Sequence, residues 1–153
     1  MTMPQARTSL VSVLIDTGGY YAFASPEDPN HEEAVTITRA LARGRYHLYT
    51  THLIISETHT LLRSRLKHRG RDYALSIARD VVDGIHQSAV TIEPITAEDA
   101  QQAVQILFAY QDQELSYTDA TSFAVMRRLG IPYVLAFDED FAIAGFTNIR
   151  HIL

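Results

Sequence analysis

The chain contains no cysteine, which excludes disulfides and thiolate metal sites and suits a cytoplasmic setting. No apolar run approaches the roughly 20 residues that a membrane-spanning helix requires, so no membrane partner is expected. Residues 1–9 lack the apolar stretch of a secretory signal and are expected to form a short flexible extension. None of the seven histidines falls in a His-Glu-x-x-His pattern. A Gly-x-Ser-x-Gly elbow and a Walker loop are also missing, so serine-hydrolase and P-loop chemistry find no support. Lysine is nearly absent, Lys67 standing alone among thirteen basic residues. The formal net charge of −5 creates no global field that attracts nucleic acid. Any RNA or DNA binding must come from a local basic patch or from bound cations.

What is present fits one folded domain, expected over residues 10–153. The chain has 153 residues and 46% apolar content, enough for a substantial core, and no repeat or linker divides it. Leu10–Ile15 reads as a strand buried on both faces. Gly18 and Gly19 follow as a turn, then Tyr20–Ala24 as a short helix. Asp28 and Pro29 predict the start of a helix running to Arg43, with Gly44 as its stop. Tyr46–Thr50 reads as a strand. Leu53–His68 and Arg71–Ile85 predict two helices of a helical hairpin, separated by Gly70. Val90–Ile95 is a strand candidate, and Thr96 to Asp99 a capping sequence for a helix to Tyr110. Ser116 or Thr118 caps a helix reaching Leu129, and Gly130 ends it. Tyr133–Phe137 and Ile149–Leu153 are the last predicted strands. Strands alternating with helices imply an α/β domain with a mainly parallel sheet covered on both sides.

Four acids stand where spare charge is unusual. Asp16 and Asp138 each end a buried-strand pattern, so in a parallel sheet both emerge at the ligand-binding edge. Each also fits a plain role, Asp16 in an Asp-Thr-Gly-Gly turn and Asp138 as cap of Glu139–Ala142. Glu57 shares a helix face with Ile54 and Leu61, where a carboxylate loses hydration and needs a counter-charge or an arginine. Asp119 follows Ser116 at capping-box spacing, yet lies beside Ala120 and Phe123 on the apolar face. Two carboxylates about 5 Å apart repel by ~3 kcal/mol at an effective dielectric of roughly 20. A divalent cation reverses that sign, and an all-oxygen donor set selects Mg²⁺ or Mn²⁺.

These segments resemble the PIN-domain ribonuclease family, particularly VapC-like toxins of type II toxin–antitoxin pairs. The matching residues are Val13–Thr17, Ile55–Glu57 with Leu61 and Leu62, Ser116–Met126, and Leu135–Phe141. The resemblance implies a PIN-like three-layer α/β/α fold and metal-dependent cleavage of RNA. It implies catalytic, metal-ligating roles for Asp16, Glu57, Asp119 and Asp138, with Asp140 as an alternative fourth acid. Thr17, Ser116 and Asp112 would support them. It further implies a small antitoxin partner and a homodimer. Arg63, Arg65, Lys67, Arg69 and Arg71 form the clear basic cluster. Arg63 and Lys67, at i,i+4 spacing, are candidates for gripping RNA phosphates, or else a solvated helix end. Tyr20, Tyr21 and Phe23, near Asp16, read as core or interface packing in preference to rings on which a base stacks. The rival function is a non-catalytic PIN-like module that binds RNA or protein.

Overall fold

The computed structural model describes residues 10–153, so the extension expected over residues 1–9 lies outside the described residues. Strand β1 (Val11–Ile15) is followed by helices α1 (Thr17–Ala24) and α2 (His31–Arg43), then by β2 (Tyr46–Thr50). Helices α3 (His52–Arg65) and α4 (Arg71–Gln87) lead to β3 (Thr91–Ile92). Helices α5 (Ala97–Ala109) and α6 (Tyr117–Leu129) lead to β4 (Tyr133–Leu135), and α7 (Asp140–Ile143) leads to β5 (Thr147–Asn148).

The sheet order is β3-β2-β1-β4-β5, with every neighbouring pair parallel. From β1 the chain steps outward to β2 and β3, then crosses back to β4 and β5. Right-handed crossovers therefore put α1–α4 on one face and α5–α7 on the other. The packing agrees: α1 lies on α2 and α3, α3 on α4, α5 on α6, and α6 on α7. This is the expected three-layer arrangement. Covering both faces explains why β1 ends in three consecutive buried apolar residues, Val13, Leu14 and Ile15, instead of an alternating pattern. Among the described residues, no helix is long and apolar enough to cross a membrane.

Several boundaries differ from the sequence expectation, each for a local reason. Helix α1 starts at Thr17 and includes both glycines, so Gly18-Gly19 is not a turn. Gly19 packs the helix close to the sheet: a Cβ there would lie 3.0 Å from the Leu135 carbonyl oxygen. Helix α2 starts at His31 with Asn30 as its N-cap. The Asp28 carboxylate accepts the Asn30 N–H at 2.8 Å, and that turn delays the helix. The α3 pattern ends at Arg65, and a 3-10 turn over Lys67–Arg69 precedes Gly70 at φ 109. Strand β3 is two residues long because its partner β2 ends at Thr50, where Thr51 turns the chain into α3. Strand β4 stops at Leu135, so Ala136 and Phe137 leave the sheet before Asp138. The last strand is Thr147–Asn148, not Ile149–Leu153. Asn148 accepts the Arg150 N–H through its side chain, which curls Ile149–His151 into a 3-10 turn.

Candidate active site

The chain reverses its direction of travel across the sheet between β1 and β4. Parallel sheets open a crevice at such a switch point, beyond the carboxyl ends of the strands. Asp16 directly follows β1, and its N–H bonds the Leu135 carbonyl of β4 at 3.1 Å. Its backbone is extended (φ −85, ψ 167) and N-caps α1 in conformation, but its side chain makes no capping bond. The carboxylate is thereby free for other use, although it is only 3% exposed. Its Oδ1, and the neighbouring Thr17 Oγ1, are buried without a hydrogen-bond partner. Buried polar atoms are normally paired, so two orphans side by side mark a place built for a ligand.

Asp119 enters from the first turn of α6. Ser116 Oγ accepts the Asp119 N–H at 3.0 Å, and Asp119 Oδ2 accepts the Ser116 N–H at 3.0 Å. This capping box fixes the carboxylate and leaves Oδ1 outside the box. Thr118 does not cap the helix. Asp138 sits at an exposed turn after β4, where its Oδ1 accepts the Asp140 N–H at 3.1 Å. Packing ties these two acids together. Phe123, one turn after Asp119, meets Phe141, three residues after Asp138, edge to face at 4.9 Å. Glu57 comes from α3, which Thr51 caps by accepting the Ile54 N–H.

The four acids line one pocket of 310 Å³ together with Thr17, Ser116, Asp28 and Asn30. Their protonation reflects the crowding. Burial raises the Asp16 carboxyl well above the ordinary range, helped by repulsion from Asp119, Asp138 and Glu57. Burial also lifts Asp119 to about 6, against the Ser116 hydrogen bonds that lower it, with Asp138 and Glu57 adding to the rise. Desolvation raises the Asp138 carboxyl, against the Asp140 N–H hydrogen bond that lowers it, with repulsion from Asp140, Glu139 and Glu57 adding to the rise. Among the described residues, no three His, Cys, Asp or Glu side chains stand close enough to hold an ion as placed. The donor chemistry nonetheless suits a hard cation: carboxylate oxygens from four elements, an orphaned buried carboxylate oxygen and an orphaned hydroxyl.

The remaining candidates are distributed differently. Asp140 does not line the pocket with its side chain; its N–H steadies Asp138. Asp112 is exposed and outside the pocket. Arg63 and Lys67 are also outside it and line a separate cleft. The cation in the acid pocket is Arg65, whose guanidinium carbon lies 5.1 Å above the Tyr21 ring, another lining residue. The sequence carries no expectation of Asp28 or Asn30 at the site, and it places Arg65 only within the basic cluster and Tyr21 only among the packing aromatics. The signal for Arg65 was available: Glu57, Leu61 and Arg65 repeat every four residues, which is one helix face. A larger cleft of 880 Å³, lined by residues such as Tyr20, Phe23, Leu41, Leu48 and Val81, is mostly apolar and carries none of the four acids.

Known proteins resemble this chain in sequence and fold. A family profile for the PIN domain matches residues 13–146. The "23S rRNA-specific endonuclease VapC20" of Mycobacterium tuberculosis is 36% identical over 138 residues, covering 90% of this chain and 98% of that protein. A "VapC ribonuclease" of Archaeoglobus fulgidus is 28% identical over 136 residues, covering 87% and 81%. The crystal structure of Mycobacterium tuberculosis VapC20, described as a sarcin–ricin loop cleaving toxin, superimposes with a TM-score of 0.76 at 30% identity, over 88% of this chain and 96% of that one. A Pyrobaculum aerophilum structure, at 16% identity and TM-score 0.62 over 93% and 92% of the two chains, shares the fold. The parallel sheet, the acids gathered at its switch point and these matches lead to one assignment: the chain belongs to the PIN domain family.

Proposed function

We propose that the chain is a divalent-cation-dependent endoribonuclease, with the acid pocket between β1 and β4 as its active centre. The observation that carries this reading is the convergence of Asp16, Glu57, Asp119 and Asp138, from four separate elements, on one pocket with a buried, unpartnered Asp16 oxygen. These four would hold Mg²⁺ or Mn²⁺. When bound, the ion supplies charge that activates water and offsets the negative charge developing on the cleaved phosphate. Ser116 holds the Asp119 carboxylate in place through the capping box, and the Asp140 N–H does the same for Asp138. Thr17 offers a hydroxyl beside Asp16. Arg65 supplies positive charge in a pocket that would otherwise repel a phosphodiester.

The similarity to VapC proteins extends the proposal to a toxin restrained by a small antitoxin protein and self-associating as a homodimer. The relative's ribosomal target makes a sarcin–ricin-loop oligoribonucleotide the first substrate to try. Cleavage should require Mg²⁺ or Mn²⁺ and stop with EDTA. Asp16→Asn and Asp119→Asn should each lower the rate by about 100-fold or more, the scale of removing one preorganised charge from an active site. Cleavage that survives EDTA and both substitutions refutes the reading. Absence of cleavage on every RNA tried, together with no cation binding, favours the non-catalytic interaction module.

A further inference from the structure

The basic cluster does not form one surface. Arg63 precedes Arg65 by two residues, roughly 200° around a helix of 3.6 residues per turn. Arg65 therefore joins the acid pocket, whereas Arg63 lies on the opposite flank of α3. There it lines a second cleft of 340 Å³ between α3 and α4, with Thr60, Ser64, Lys67 and Arg71. No carboxylate lines this cleft. Among the described residues, Arg63 and Lys67 have no acidic partner within ion-pair distance. Arg71 has one partner, Asp72 at 3.9 Å, but both side chains are almost fully exposed and solvent screens the pair. Three cations and two hydroxyls in one concavity are unusual on a chain of net charge −5.

We propose that this cleft is a second phosphate subsite, which binds the backbone of the substrate RNA away from the bond being cut. The RNA would cross the C-terminal half of α3, about 10–12 Å wide with its side chains. Arg65 would meet it on the acid side and Arg63, Lys67 and Arg71 on the other. The proposal rests on RNA as the substrate, but its test does not require cleavage.

Binding of a fluorescein-labelled single-stranded RNA of about 20 nucleotides, long enough to cross a helix of that width, is measured in EDTA against salt concentration. The proteins are the full chain, Arg63→Gln/Lys67→Gln, and Arg79→Gln, which alters an exposed α4 arginine outside the cleft. Losing two phosphate contacts on a single strand should reduce the slope of log K against log salt by about 1.4. Arg79→Gln should change it much less. Both substituted side chains are exposed, and an unchanged thermal midpoint will confirm folding. An unchanged slope and affinity in the double variant overturns the subsite, even if the chain cleaves RNA. Competition by a polyglutamate peptide that depends on Arg63 and Lys67, without their loss affecting RNA, overturns it in favour of an acidic protein partner. RNA binding that depends on the cleft, in a chain that cuts no RNA, supports the subsite and rejects the nuclease.

Discussion

Single side chains in the acid pocket carry structural and chemical duties together. Asp119 is the clearest case, because one carboxylate oxygen closes the α6 capping box while the carboxylate faces the other acids. Its partner Ser116 should therefore affect both stability and chemistry. Ser116→Ala removes the acceptor for the Asp119 N–H and should cost about 1 kcal/mol, the usual loss of a serine cap. It should also slow cleavage by freeing the Asp119 carboxylate, while Ser116→Thr keeps the hydroxyl and most of both properties. Urea unfolding combined with single-turnover cleavage separates the two effects. Asp16 makes the opposite choice to Asp119. It caps α1 by backbone conformation alone and keeps its side chain out of the cap, despite near-complete burial.

At the scale of elements, α5 and α6 are held by an ion-pair network remote from the pocket. Arg128 on α6 donates to Asp99 at 2.9 and 3.0 Å, to Glu93 at 3.1 Å and to the Pro94 carbonyl at 3.2 Å. Asp99 also closes the α5 capping box with Thr96. Burial alone would raise the Asp99 pKa, but the Arg128 and Thr96 hydrogen bonds outweigh it and lower the pKa below the ordinary 3.8. A depressed carboxyl contributes stability that is complete above its unfolded value and lost as pH falls through the folded one. Arg128→Met should thus cost about 2 kcal/mol at pH 7, the scale of hydrogen bonds to a charged group, and less at pH 3. Equal losses at both pH values in urea unfolding would show that packing, not charge, explains the effect.

For the whole molecule, the acid centre opposes folding as long as its charges are unbalanced. Asp16, Asp119 and Asp138 all have raised pKa values, so the unfolded chain ionises before the folded one. Their contribution is complete below the ordinary 3.8 and is lost as pH rises, through about 6 for Asp119. With EDTA present, the thermal midpoint should fall between pH 5 and 7 by more than in Asp119→Asn. Added Mg²⁺ or Mn²⁺ binds the folded state preferentially and should recover the loss, increasingly so at higher pH where the ligands are ionised. A thermal midpoint at pH 8 that ignores the cation would contradict a carboxylate-held ion.

The sequence by itself determined most of the elements, but not the last strand, expected at Ile149–Leu153 and formed at Thr147–Asn148. Buried-strand patterns at Val13–Ile15 and Val134–Leu135, the cap at Ser116 and the stops at Gly44 and Gly130 are local rules, and the structure follows them. The identity of the four acids in the pocket was also legible, because a charge at a strand end or on an apolar helix face conflicts with its own surroundings. Exact boundaries were less legible where a side chain competed with the backbone, as with Asp28 before α2 and Asn148 after β5. Helix periodicity separates Arg65 from Arg63, but it does not say what each side of α3 meets. The tertiary structure decided that: it puts α1 and the acids beside Arg65, and α4 beside Arg63 and Lys67, which line a different cleft. It also decided that Asp138, not Asp140, faces the pocket, since that depends on where β4 leaves the sheet and on the Phe123–Phe141 contact. Local sequence encodes what a segment prefers to become; which surfaces meet depends on how distant segments pack, and no short window contains that information.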